Sequence, residues 1–278
     1  MGNVDFAGQV EISSFRQMAT VVWDQPYDPS IYGYLDFVAE PLEAHLTKLR
    51  AEGVRVTVTH LVARAIALAL QRHPDMNVVL RRRRLYKRAR IDVFLQVAIP
   101  DPTGLGKTDL SGVKIIDCDQ KDAKTIAQEV DERIAKVRAH ADPELQKSKN
   151  QIAKIPRFML KGLLRLTSWL QREPNFRMKW AGMPKDPFGS AMVTSLGMLG
   201  VETAFAPLFP LGGPPMIMLV GAIQPRPWVE HVDGKDTLVV RRIIRLCGTF
   251  DHRVADGYHV ARLAQELKRI IEQEPHLL

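Results

Sequence analysis

The chain has 278 residues, enough for one large core or two small ones, and its 46% hydrophobic and 25% charged residues are ordinary for a globular protein. No apolar run reaches the roughly 20 residues of a spanning helix. Residues 1–6 lack the parts of a signal peptide and the Ser or Thr at position 6 of a myristoylation site, so a cytoplasmic protein is expected. Two cysteines, Cys118 and Cys247, exclude a disulfide framework and suit a reducing compartment. The eight histidines are scattered, with no HxxxH or CxxC spacing, so no metal is expected. The net charge of +8 comes without the interleaved aromatics of a nucleic-acid surface, and is compatible with a phosphorylated small ligand.

Residues 10–16 form a short apolar-alternating lead-in, and residues 23–30, with two prolines, read as a loop. Residues 32–38 suit a strand. Glu40-Pro41 opens a helix whose inner face is Leu42, His45, Leu46 and Leu49, ended by Gly53. Residues 57–72 are apolar almost all round and predict a central, buried helix, stopped by His73-Pro74. His60 and His73 read as helix-end residues rather than ligands. The run from Arg81 to Arg90 reads as a solvated hairpin, with phosphate, acidic-carrier or partner binding as alternatives. A strand over 91–99 and a Pro- and Gly-containing loop over 100–109 follow. Ala123, Ile126, Ala127, Val130, Ile134 and Val137 then mark an amphipathic helix.

Between about 151 and 172, Ile155, Phe158, Met159, Leu163, Leu166, Trp169 and Leu170 interleave with Lys154, Arg157, Lys161, Arg165 and Arg172. Such a helix is compatible with membrane contact in the interface. Packing on its own domain or on a neighbouring subunit is the commoner arrangement, and a cap over a substrate entrance is a third. Residues 188–200 end an apolar run on two hydroxyls, Thr194 and Ser195, which on their own read as strand side chains bonded to backbone. Residues 216–223 are apolar on both faces, hence interior. A hairpin around Asp233-Gly234 and a β-branched strand over 238–246 lead into Asp251-His252-Arg253-Val254-Ala255-Asp256-Gly257. The helix beyond carries Val260, Leu263, Ala264, Leu267, Ile270 and Ile271 on one face. His252 therefore sits in a strand-to-helix connection, where a scaffold can hold a side chain toward a cleft. Asp256 is close enough to help fix the loop, and Gly257 suits a tight backbone turn.

The string from Asp251 to Gly257 resembles the DHRxxDG signature of the catalytic domain of the 2-oxo acid dehydrogenase acyltransferases, the dihydrolipoamide acyltransferases. It is more distantly similar to the HxxxDG motif of chloramphenicol acetyltransferase. Residues 188–200 resemble the family's GTFTISNLGMFG, and residues 205–221 resemble FAPIINPPQxAILGVG with a turn lengthened by Leu211-Gly212-Gly213. Residues 57–77 look like FVKAAVxALKxFPxxN, and residues 11–16 look like P-L-S-x-x-R with Glu11 for the proline. The likeness is clearest over 188–275. It departs at residues 104–107, where the family has GLVVPV, and about 141–187 is more chain than the family domain carries.

The resemblance implies an α/β fold of the chloramphenicol acetyltransferase type, a two-layer sandwich of a mixed β-sheet flanked by helices. It would form a single acyltransferase domain over 1–278, with a helical insertion at about 141–187. The implied reaction moves an acyl group between coenzyme A and a dihydrolipoyl-type thiol. His252 is then the general base and Thr194 the oxyanion donor, with Ser195 in reserve. Asp256 would order the loop by pairing with Arg16, supported by Arg253 and Gly257. A homotrimer or a shell of trimers is implied, with histidine and hydroxyl supplied by different chains. No lipoyl hairpin precedes the domain, so the lipoyl group, if used, is expected on a separate lipoyl or carrier protein. Two rival readings are transfer to another small-molecule or carrier acceptor, and a trimeric scaffold without turnover, motivated by residues 104–107 and Thr194.

Overall fold

The computed structural model describes residues 5–11, 13, 28–99, 109–138, 157–178, 185–209 and 213–278. The first elements are β1 (Phe6–Gln9), β2 (Ser30–Val38), α1 (Glu40–Ala51) and α2 (Val58–Arg72). The hairpin β3 (Val78–Arg81) and β4 (Arg84–Arg88) follows, then β5 (Val93–Ile99), β6 (Asp109–Ile115) and α3 (Ala123–Arg138). The chain continues through α4 (Arg157–Arg172), β7 (Ala191–Ser195), β8 (Met216–Val220), β9 (Gln224–Val232), β10 (Lys235–Asp251) and α5 (Gly257–Lys268).

β10 organises the main sheet because its 17 residues serve two pairings. Its first half makes a ribbon with β9, turned by Asp233 and Gly234 at φ of 51° and 76°. Positive φ at both central residues matches the twist of the flanking strands, and Asp-Gly adopts it at low cost. Its second half lies between β2 and β8, antiparallel to both. β7 is parallel to β8 and to β5, and β6 is antiparallel to β5, so the sheet is mixed, in the order β2-β10-β8-β7-β5-β6.

Alternation along each strand sorts two faces. Phe37, Ile244, Leu246, Met218, Val220, Val193, Leu95 and Val113 share the face that packs under the helices in one continuous core. α2 is the central helix of that layer, buried from His60 to Ala63 and from Ala65 to Leu70. Thr57 caps it by accepting from the His60 N–H, while the His60 ring accepts from the Thr57 N–H. The other face of the sheet carries Thr194, Leu219, Cys247 and Tyr34 side by side. Coil and loop segments lie over it, with Phe205 edge-on to Tyr32 at 5.5 Å and Phe188 set against both Phe94 and Phe209.

A separate sheet, β1-β4-β3, holds the arginine run. Arg82 and Arg83 form its turn at φ of 47° and 60°, a conformation costing a residue with a Cβ about 1–2 kcal/mol. The expected solvated hairpin is only partly solvated. Arg88 is buried in an ion pair with Asp186, and the Arg81 guanidinium lies 5.2 Å from the Phe6 ring centroid and donates to the Glu173 carbonyl. These cations are spent on holding the small sheet to its surroundings.

Of the arrangements expected for helix α4, the described side chains favour those in which its apolar side faces away from its own domain. Gln171 is buried and Thr167 and Ser168 half-buried, while Leu166 and Trp169 are 53% and 52% exposed. Just past its C-terminal end, the Glu173 carboxylate accepts from the Arg82 N–H at 2.8 Å. Among the described residues no helix is long and apolar enough to cross a membrane. Arg16, residues 104–107, and residues 141–156 and 179–184 of the expected insertion lie outside the described residues.

Candidate active site

β10 delivers the chain to a short turn before α5, and that turn is tied down by backbone bonds. The His252 N–H donates to the Pro29 carbonyl at 2.8 Å, and the Val254 and Ala255 N–H groups both donate to the Asp251 carbonyl, at 2.8 and 2.9 Å. The half-buried His252 ring is oriented by its own loop, with Nδ1 3.0 Å from the Ala255 carbonyl oxygen. A carbonyl can only accept, so Nδ1 carries the hydrogen.

Two carboxylates frame it. Asp251, buried, grips the Arg253 guanidinium through both oxygens at 3.0 and 2.8 Å and accepts from the Arg253 N–H at 3.0 Å. Sequence reasoning passed over Asp251 as a partner, although the signal was an Asp and an Arg one residue either side of the histidine. Asp256 caps α5, accepting from the His259 N–H at 3.1 Å and lying 2.5 Å from His259 Nδ1. It thus orders the start of the helix; Arg16, its expected partner, is outside the described residues. Gly257 corrects a second expectation. It is the first residue of α5, its φ is not positive, and an added Cβ would meet nothing within 4 Å. No tight turn requires a glycine there, and its effect is to leave space beside the helix.

The two hydroxyls end β7. Thr194 is half-buried on the coil-covered face, whereas Ser195 points to the helix-covered face, its Oγ donating to the Val220 carbonyl at a long 3.4 Å. Within one chain neither meets His252. Thr194 is level with Leu219 and Cys247 across the sheet, and His252 lies five residues beyond Cys247, about 17 Å away along the strands. Histidine and hydroxyl therefore sit at opposite ends of β8. The cysteines are no substitute nucleophiles, because burial pushes the Cys118 thiol up to about 12 and raises that of Cys247 as well.

The family model described as the 2-oxoacid dehydrogenases acyltransferase (catalytic domain) matches residues 16–155 and 186–278. The chain belongs to that family. This acyltransferase domain is 22% identical over 227 residues to the dihydrolipoyllysine-residue acetyltransferase component of the pyruvate dehydrogenase complex of Zymomonas mobilis. That match covers 81% of this chain and 39% of the relative, so the domain spans about two fifths of that protein's length. Its fold is that of the cubic core of a pyruvate dehydrogenase multienzyme complex, with a TM-score of 0.63 at 20% identity over 98% of this chain and 95% of that one. A chloramphenicol acetyltransferase shares it at 0.55 and 13% identity, over 95% and 100% of the two chains. The expected mixed sheet flanked by helices is thus the observed architecture. The stretch between the two matched blocks of the acyltransferase domain contains α4.

Proposed function

We propose that the protein transfers an acyl group between coenzyme A and the thiol of a dihydrolipoyl group, at a site completed by a second copy of the chain. The observation that carries this reading is the His252 ring, oriented through Nδ1 by the Ala255 carbonyl, in a loop braced by Asp251 and Arg253. Nε2 takes the proton of the attacking S–H as the sulfur closes on the thioester carbonyl, since the thiolate and not the thiol is the nucleophile. The carbonyl oxygen becomes an oxyanion, stabilised by a hydroxyl. As the tetrahedral species collapses, the departing thiolate recovers the proton from His252. Thr194 is the donor of choice, because Ser195 faces the helix layer and already has a backbone partner. Given the separation along β8, the Thr194 serving one His252 belongs to a neighbouring subunit. A homotrimer, or a larger shell of such trimers, meets that requirement by repeating one contact around an axis.

The test is a thiol-release assay on the purified protein with acyl-CoA and dihydrolipoamide. Transfer is expected, and His252→Ala should lower kcat by about 10²–10⁴, the usual worth of a positioned base, with the oligomer intact by light scattering. Transfer that survives His252→Ala undiminished would remove the histidine from the mechanism. Turnover with other acceptors but never with dihydrolipoamide would reassign the thiol partner.

A further inference from the structure

A cleft of about 250 Å³ runs between α5 and the helix-covered face of the main sheet. Its place is tied to the active-site loop: Phe250, two residues before His252, and Gly257, five after it, both line it. The hollow is made by small residues. Gly33 and Gly248 are cross-strand partners in β2 and β10, and Gly257, Ala261 and Ala264 face them from the helix. An added Cβ at Gly33 would meet nothing within 4 Å, whereas at Gly248 it would strike the Phe250 ring at 2.4 Å. Met218, Leu246 and Leu267, all buried, form the floor, and no Asp, Glu, Lys or Arg lines any part of it. Its walls are almost wholly apolar, and such a hollow, open on one side, suits an apolar guest.

We propose that this cleft holds the hydrocarbon tail of the acyl group, and that the preferred thioesters carry chains of about six to ten carbons rather than acetyl; a closed apolar cavity of roughly 150 Å³ already takes a six-carbon ring. The inference rests on the acyl-transfer reading of His252 and goes beyond it by naming the donor. The carbonyl stays at the imidazole, and the tail threads beneath the first turns of α5, past Gly257 toward Leu267. The methylenes gain burial, and the absence of charge along the walls removes any reason for a polar acyl group to enter.

The experiment is a series of straight-chain acyl-CoA donors from acetyl to decanoyl, with dihydrolipoamide as acceptor. The expected result is a kcat/KM that rises about fourfold per added methylene until the cleft is full. Ala264→Phe should lower the octanoyl-to-acetyl ratio by about 60-fold, the worth of three methylenes. Gly33→Val, a β-branched residue placed in a strand, makes the same comparison if the helix variant fails to fold. An active enzyme that uses acetyl-CoA and octanoyl-CoA alike, with a ratio neither variant moves, overturns the cleft assignment and leaves acyl transfer standing. If no thioester is turned over, acyl transfer itself falls, and calorimetry decides the cleft alone. Octanoyl-CoA binding more tightly than CoA, and losing that advantage in Ala264→Phe, supports it; equal affinities overturn it.

Discussion

At the scale of single residues, the candidate site depends on which way each side chain points. Thr194 and Ser195 are adjacent, yet strand alternation sends them to opposite faces of β7. Thr194→Ala is therefore expected to cost about 10²–10³ in kcat, the size of one lost oxyanion donor, and Ser195→Ala much less. Steady-state kinetics on the two variants check this, and the reverse order would move the role to Ser195. A different histidine governs stability. Burial pushes the His60 imidazole below its ordinary 6.5. The ring is kept neutral in the fold, so the unfolded chain takes up its proton first as the medium is acidified. The stabilisation is whole above pH 6.5 and is lost as pH falls from there through the folded value. Denaturant melts across that window should show declining stability, with a shallower decline in His60→Gln, since Gln at this position can keep the reciprocal capping bond. Some slope should remain, because burial lowers His45 in the same direction.

Elements differed in how far they could be read ahead. The buried α2, the Asp233-Gly234 hairpin and the strand–turn–helix around His252 were legible because each is governed by neighbours within a few residues: a cap, a positive-φ pair, an apolar period. β10 was not, since nothing local says that a single strand of 17 residues leaves a hairpin and runs on into the middle of a seven-stranded sheet. The orientation of α4 escaped for a related reason. Its apolar stripe is plain in the sequence, but which way the stripe faces depends on contacts remote in the chain, such as that of Glu173, just beyond the helix, with a turn some ninety residues earlier. The β9–β10 ribbon raises its own question. Val229 and Leu238 are paired on one face with Val240 beside them, and they are 61%, 72% and 74% exposed. An isolated two-stranded ribbon is marginal in water, so aliphatic residues there call for a covering surface. Replacing Leu238 and Val240 by Glu should shift the mass measured by light scattering toward the single chain while far-UV circular dichroism stays unchanged. An unaltered mass would show that the ribbon is not part of the subunit contact.

For the whole molecule, the decisive distance is the length of β8. The spacing of motifs in the sequence names His252 and Thr194 but is silent on whether they meet, because that depends on strand order and direction. The fold places them at opposite ends. If each complete site draws its imidazole from one chain and its hydroxyl from the next, the inactive variants His252→Ala and Thr194→Ala should rescue one another when co-assembled. Random mixing in equal amounts around a ring would leave about a quarter of the sites intact. Thiol release by the mixed oligomer, against silence from each variant alone, measures it, and no recovery after verified mixing would place both groups in one chain.

On the reading in which two copies share each site, a well-folded solitary copy would have no chemistry to offer. Specific activity then becomes a property of concentration: dilution below the dissociation constant of the oligomer should silence the protein without melting a single helix. Loss of function and loss of native structure come apart, and a patient wait after reconcentration, with no refolding step, should bring turnover back.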